Sequence, residues 1–439
     1  MNEREGRRRF LQWLAAAPAL PLLSLASSRA GFAAGPSAVA PGQDQWLGDL
    51  PSQVLQSIEQ YESRIASAKD AITVFDLETA ARRKLHVGHL AYLAGVEDQA
   101  TLRANRAIFA RIQLRPRRLT GVGKSDASTT LFGATWNTPL LLCPCGRQGA
   151  FDLDAEVAVA RAAKSRQHLQ VLSNAATRSI EDVTSARGQP VWSQLYQNLD
   201  WNKTRAMIRR AENSGAPVLV FTIDSRPGTR REILAKVRRQ NADFCRSCHV
   251  ANGTEDLTNL GRGLFGDAVD PMNSTPPLGP PQMDGPATWD YVKRLKDTTR
   301  MKLVVKGIVT REDAALALEH GVDGIWVSNH GGLQDNSGRS TMESLSEVIA
   351  GVGRRVPVIV DGGFRRGTDI FKALAVGATA VGIGRPYLWG LGAFGQSGVE
   401  AALDILDFEL RTVMLQMGIA RREQIDRSYI QDDLASIGQ

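Results

Sequence analysis

The run Val356-Pro357-Val358-Ile359-Val360-Asp361-Gly362-Gly363-Phe364-Arg365-Arg366-Gly367-Thr368 passes from continuous apolar residues straight into an acid, two glycines and two arginines. A short β-branched run with no polar alternation reads as a strand buried on both faces, hence as part of a parallel sheet covered by helices. The residues after it open a helical pattern, Thr368–Val376. The same unit recurs along the chain. Strand-like runs fall at Pro139–Cys143, Leu169–Ser173, Val191–Tyr196, Val218–Asp224, Lys302–Lys306, Gly324–His330, Val356–Asp361 and Ala380–Gly384. Helical spacing lies between most of them, as in Asp154–Ser165, Trp201–Ser214, Arg311–His320 and Thr341–Gly351. Eight β-then-α units predict a (β/α)8 TIM barrel. A doubly wound open sheet is the alternative, but no G-x-G-x-x-G opens the first unit.

The strand ends carry polar residues: Ser173-Asn174, Gln194 and Tyr196, Thr222 and Asp224, Lys306, Ser328-Asn329-His330, Asp361-Gly362-Gly363 and Gly384-Arg385. Any one of these could be a satisfied structural residue. Seven strands ending this way predict one shared site at the C-terminal face of the barrel, where barrel chemistry gathers. The loops after runs seven and eight combine glycines, a helix start, Arg365 and Arg385, which suits a phosphate.

Composition narrows the rest. The 439 residues are 43% hydrophobic and 23% charged, ordinary for a globular chain. The formal charge is +7, but residues 1–30 hold five arginines and two glutamates. Without them 48 basic residues face 44 acidic ones, too even a balance to argue for nucleic acid. Residues 7–11 read Arg7-Arg8-Arg9-Phe10-Leu11, and an apolar run follows from Trp13 to Ala26. Ser28-Arg29-Ala30 is a candidate cleavage site. This is the layout of a twin-arginine signal peptide, assigned to 1–34, with periplasmic export expected. Residues 35–70 read as a linker and N-terminal helix, and 71–430 as the barrel.

About 60 residues separate Asp224 from the helix near Ala287, where a βα loop normally takes about 2–6. This insertion, 225–286, contains Cys245-Arg246-Ser247-Cys248-His249. C-x-x-C-H is the c-type haem attachment pattern, with Met272 and Met283 as candidate sixth ligands. A Cys245–Cys248 disulfide, or a small metal clip using His249, accounts for the same residues. Cys143 and Cys145, two apart at a strand end, read as core and cofactor packing.

The assembled motifs resemble the FMN-dependent α-hydroxy-acid oxidases and dehydrogenases, over roughly residues 50–430. Thr101-Leu102-Arg103-Ala104-Asn105 with Arg115-Pro116-Arg117-Arg118-Leu119, Thr222-Ile223-Asp224 through Arg230-Arg231, Ser328-Asn329-His330-Gly331-Gly332, Asp361–Asp369 and Gly384-Arg385-Pro386 carry the likeness. It implies that Pro144, Cys145, Gly146, Ser173, Gln194, Thr222, Lys306, Ser328, Asp361, Gly362, Gly363, Phe364, Arg365, Gly384 and Arg385 hold FMN. Lys306 would lie near the N1–O2 edge of the flavin and stabilise charge that builds there. His330 would be the base, oriented by Asp224, with Arg231 on the substrate carboxylate and Tyr196 donating to the substrate. No metal is expected at the barrel site. The partners implied are a small 2-hydroxy acid and an electron acceptor (oxygen, quinone or cytochrome), and a homo-oligomer is expected.

Three positions depart from the family pattern. Leu333 stands where a second substrate arginine is usual, Ala91 where a substrate tyrosine is usual (Tyr92 is one position later), and Ala175 where an aromatic is often found. Arg339, Arg226 and Arg230 are candidates to replace the missing arginine. Three functions follow: oxidation of a 2-hydroxy acid, with a bulky one favoured by the lost groups; a flavin and haem c dehydrogenase feeding a respiratory chain; or a flavin-binding protein without turnover.

Overall fold

A computed structural model describes residues 50–198, 200–225, 231–240 and 287–432. The expected strands are present, five of them stopping one to three residues short of the expected polar end and β5 running two residues past Lys306: β1 (Leu140–Leu142), β2 (Leu169–Leu172), β3 (Trp192–Tyr196), β4 (Val218–Thr222), β5 (Lys302–Ile308), β6 (Gly324–Val327), β7 (Val358–Asp361) and β8 (Ala380–Ile383). They pair in parallel, each with its neighbours in sequence, and β8 closes on β1. The barrel is therefore closed, and the open-sheet alternative is excluded.

Alternation along the strands fixes what lines the interior. Leu141, Cys143, Leu169, Val171, Trp192, Val218, Val220, Val304, Trp326, Ile359 and Ala380 form the inner cluster. Their neighbours, such as Leu219, Leu303, Val305 and Val360, pack outward against the helices. Stepping by two from the inner residues reaches Ser173 from Val171, Gln194 and Tyr196 from Trp192, and Thr222 from Val220. The same step reaches Lys306 from Val304, Ser328 from Trp326 and Asp361 from Ile359. One parity thus fills the barrel with apolar side chains and delivers polar ones to its C-terminal mouth. A hairpin, Thr129–Leu131 paired with Ala134–Trp136, closes the other end, with Phe132 against Trp192 at 5.5 Å between rings.

The helices are α1 (Ser52–Arg64), α2 (Val74–Lys84), α3 (Val87–Tyr92), α4 (Ala100–Arg111), α5 (Ala155–Ser165), α6 (Ile180–Arg187), α7 (Trp201–Asn213), α8 (Glu232–Gln240), α9 (Trp289–Thr298), α10 (Arg311–Glu319), α11 (Thr341–Val352), α12 (Gly367–Val376) and α13 (Arg385–Gln416). Most start on a side-chain cap. Thr310 accepts from Asp313 N, and Ser340 and Glu343 form a reciprocal capping box at α11. The N-terminal helices α3 and α4 lie over the mouth. At Gly363 (φ 88°) an added Cβ would sit 2.0 Å from the Asn105 carbonyl oxygen, so the loop after β7 and α4 meet backbone to backbone.

The leader, Arg226, Arg230 and the Cys245-Cys248-His249 segment lie outside the described residues, as do Met272 and Met283.

Candidate active site

His330 follows β6 in a left-handed conformation (φ 56°), and its Nδ1 lies 2.9 Å from Oδ1 of Asp224, two residues beyond β4. The carboxylate holds the ring in one orientation and leaves Nε2 facing the hydroxyl of Tyr196 at 3.4 Å. The two rings are nearly parallel, with centroids 6.4 Å apart. Burial works against the Asp224 carboxylate, but His330 and Lys306 outweigh it and keep its pKa below the ordinary value. Asp224 Oδ2 is buried with no partner among the described residues. Burial raises the Tyr196 phenol well above its usual pKa, so it stays a hydrogen-bond donor at neutral pH.

Lys306 is 4% exposed. Its Nζ donates to Ser328 Oγ at 2.8 Å and lies 3.4 Å from Asp361 Oδ2, while Ser328 Oγ donates to Asp361 Oδ1 at 2.8 Å. Burial alone would depress the Lys306 ammonium, but Asp361 and Asp224 reverse this and raise it. The site therefore keeps a fixed positive charge. A second chain of polar groups crosses the mouth: Ser173 Oγ donates to Gln194 Oε1 at 3.1 Å, and Gln194 Nε2 donates to Thr222 Oγ1 at 3.1 Å.

On the opposite side stand Arg365 and Arg385. Arg365 lies over the Trp389 ring at 4.6 Å and donates to the Phe364 carbonyl at 2.8 Å. Phe364 itself packs into the core against Phe109, leaving only its backbone for a ligand. Burial, then the Arg106 and Arg385 charges, push Arg365 down to about 9. Burial also pushes Arg385 down to about 10, Arg231 adding to it. Arg385 donates to the carbonyls of Leu93 and Gly331, each at 2.8 Å, and its Nη2 is buried with no partner among the described residues. Depressed, incompletely paired guanidiniums are what an incoming anion relieves.

Cys145 and Gly146 follow β1 at the mouth, and a Cβ added at Gly384 would lie 3.5 Å from Cys145 Sγ. Tyr387 donates to the Cys143 carbonyl at 2.8 Å, and Gln148 donates to Cys145 O at 3.0 Å, pinning that loop. Cys143 is buried with Sγ 3.7 Å from Asp361 Oδ2, the packing role expected of it. Arg231 leads into α8, donates to the Tyr92 carbonyl and lies over the Tyr92 ring at 4.7 Å. Its Nε is buried without a partner among the described residues. Burial holds Arg231 below the usual guanidinium range; Tyr92 opposes this and the Arg147 charge adds to it.

Two expectations need correction or addition. Arg339 cannot replace the missing arginine, because its guanidinium is tied to Glu347 and the Val309 carbonyl. Tyr92, passed over as one position off the usual tyrosine, is the aromatic floor of Arg231. Asn105 also emerges: it exchanges hydrogen bonds of 2.9 and 3.0 Å with Asn329, beside His330, and so fixes the turn that presents the imidazole.

A buried lysine in an acid–hydroxyl network, paired buried guanidiniums and an Asp–His pair at the mouth of a parallel barrel define a flavin-type oxidoreductase site. The hydroxyls of Ser173 and Thr222, the Gln194 amide and the unpaired Arg385 Nη2 fit a flavin mononucleotide. The FMN-dependent dehydrogenase family matches residues 81–432. The chain is 36% identical to a 2-hydroxyacid oxidase of Dictyostelium discoideum over 89% of its length and 98% of the relative. It is 37% identical to an L-lactate oxidase of a Nostoc species, over 82% and 98%. Among solved structures, an active chimera of (S)-mandelate dehydrogenase superposes with a TM-score of 0.71 at 32% identity, covering 82% of this chain and 99% of the other. Flavocytochrome b2 gives 0.73 at 29% identity, covering 88% and 92%. The chain belongs to the FMN-dependent α-hydroxy-acid oxidoreductase family.

Proposed function

We propose that this protein oxidises a 2-hydroxy acid with a bulky side chain to the 2-keto acid, His330 acting as base. The observation that carries the reading is the 2.9 Å His330–Asp224 pair beside the Lys306–Ser328–Asp361 network. FMN, when bound, supplies the two-electron acceptor. Nε2 of His330 takes a proton from the substrate, and the Asp224 carboxylate stabilises the imidazolium that results. Lys306 keeps a positive charge where negative charge accumulates. Tyr196 donates a hydrogen bond to the substrate, and Arg231 binds its carboxylate.

The bulky side chain is argued from Ala91, Ala175 and Leu333, which together lack one charge, one phenol and one aromatic wall. Apolar volume in their place favours a larger acid by about 0.8 kcal/mol per buried CH₂. Anaerobic addition of a panel of 2-hydroxy acids tests this, since bleaching of the flavin reports turnover. Aryl or long-chain acids should show higher kcat/KM than lactate, and Leu333→Arg should move preference back to small acids. Glycolate or lactate as the best wild-type substrate would overturn the pocket reading. We also propose twin-arginine export to the periplasm, supported by Arg7-Arg8-Arg9-Phe10-Leu11 and the apolar run after it.

A further inference from the structure

Within the proposed 2-hydroxy acid site, Arg231 faces the task of holding a carboxylate without the usual second arginine. Leu333 is apolar, and Arg339 is committed to Glu347. Another cation lies close by. Arg147 follows Cys145 and Gly146 in the loop after β1, at the mouth. Its backbone N–H donates to the Ala175 carbonyl at 3.0 Å, and Arg147 stands in the left-handed region at φ 58°. The loop packs closely on Ala175. A Cβ added at Gly146 would already lie 2.9 Å from the Ala175 carbonyl oxygen and 3.0 Å from its Cβ. The glycine at 146 lets the loop close against the residues after β2, with Arg147 at the mouth.

Among the described residues the Arg147 side chain makes no hydrogen bond and no ion pair, unlike Arg106, Arg161, Arg166, Arg339 and Arg366, each of which has a carboxylate. Arg231 has no carboxylate there either; it has the Tyr92 carbonyl and ring. The Tyr92 ring that carries Arg231 at 4.7 Å also meets Phe151 at 6.3 Å, four residues after Arg147 in the same loop, and the Arg147 charge adds to the lowering of Arg231. Two like charges gathered at one half-buried site repel each other unless an anion joins them. A non-glycine residue in the left-handed region also costs some backbone energy, which a glycine at 147 would relieve.

We propose that Arg147 is the second guanidinium of the substrate-carboxylate site, doing from the loop after β1 what an arginine at position 333 would do from the loop after β6. The substrate's carboxylate is held between Arg147 and Arg231. This rests on the 2-hydroxy acid reading above, and it makes Arg147 a specificity residue for acids over neutral analogues.

The test uses the FMN-loaded protein and binding rather than turnover. Phenylglyoxylate, a 2-keto acid, and phenylglyoxylamide, its neutral counterpart, are titrated while the flavin absorption is followed. Arg147→Gln should weaken the acid by about tenfold to a hundredfold, the loss of one charge-assisted contact, and leave the amide unchanged. Arg147→Lys should keep part of the acid affinity. Arg147→Gly removes the left-handed strain, so it should fold at least as stably as wild type yet show the same loss of acid binding. Equal acid binding by wild type and Arg147→Gln, or equal losses for acid and amide, would overturn the assignment of Arg147 alone. If wild type binds no 2-keto acid, the 2-hydroxy acid reading falls and this proposal with it.

Discussion

At the scale of single residues, the pairing of His330 with Asp224 is the testable centre. The carboxylate sets the imidazole's orientation, with Nδ1 2.9 Å from Asp224 Oδ1. Removing the imidazole removes the proton acceptor but leaves Lys306, Gln194 and Arg385 in place. His330→Ala should therefore retain FMN and slow anaerobic bleaching by about 10²-fold or more. Asp224→Asn should also slow bleaching while leaving cofactor content unaltered. Bleaching at the wild-type rate in His330→Ala would assign the base elsewhere. These residues were legible because a strand end has no packing use for His or Asp. Tyr92 and Arg147 were not legible. Tyr92 sits one position off the familiar tyrosine, and its contact with Arg231 spans 139 residues. Arg147 follows a β1 loop whose course depends on Gly146 meeting Ala175, a contact no local pattern announces.

Elements show where pattern reading succeeds and where it stops. The buried strands read correctly because both faces are apolar, and five of the expected ends ran one to three residues long where polar site residues continue the chain past the ladder. The closing hairpin at 129–136 was missed: its paired segments are three residues each, too short for a periodic signal. At the same base of the barrel, His168 precedes β2, is 1% exposed, and has Nε2 2.9 Å from Thr138 Oγ1. Burial pushes its pKa from 6.5 down to about 4. The unfolded chain takes up that proton first, near pH 6.5. The associated stability is therefore whole above about pH 6.5 and is lost as the pH falls toward 4, at most about 3 kcal/mol. His168→Gln should flatten the fall in urea midpoint between pH 7 and 4.5, and an unchanged slope would place that linkage in other groups. The meeting of α4 with the loop after β7 gives a second expectation. Gly363→Ala has no room against the Asn105 carbonyl and no favourable φ, so it should lose FMN and lower Tm by several degrees.

For the whole molecule, the family match spans residues 81–432, and the proposed twin-arginine signal lies ahead of it. Arg7, Arg8 and Arg9 precede Phe10-Leu11 and an apolar run interrupted by Pro18 and Pro21, shorter than a bilayer needs. Twin-arginine export carries folded proteins, which suits a barrel whose buried Lys306, Arg365 and Arg385 would otherwise be left without their anionic cofactor during transit. Lysine keeps the charge of arginine but not its planar fork, so a receptor that reads guanidinium geometry distinguishes them. Replacing Arg7, Arg8 and Arg9 together by Lys should leave the full-length, FMN-loaded precursor in the cytoplasm, measured by fractionation and by the mass of the N-terminus. Undiminished periplasmic protein would contradict this route. The absorption spectrum of the exported wild type then decides the Cys245-Arg246-Ser247-Cys248-His249 motif in the same preparation. A sharp Soret band beside the flavin bands means haem c attached after export, whereas flavin bands alone leave a disulfide or a small metal clip. Retention by the Lys variant should abolish any Soret band without reducing FMN, because the flavin is bound before transport and a c-type haem only after it.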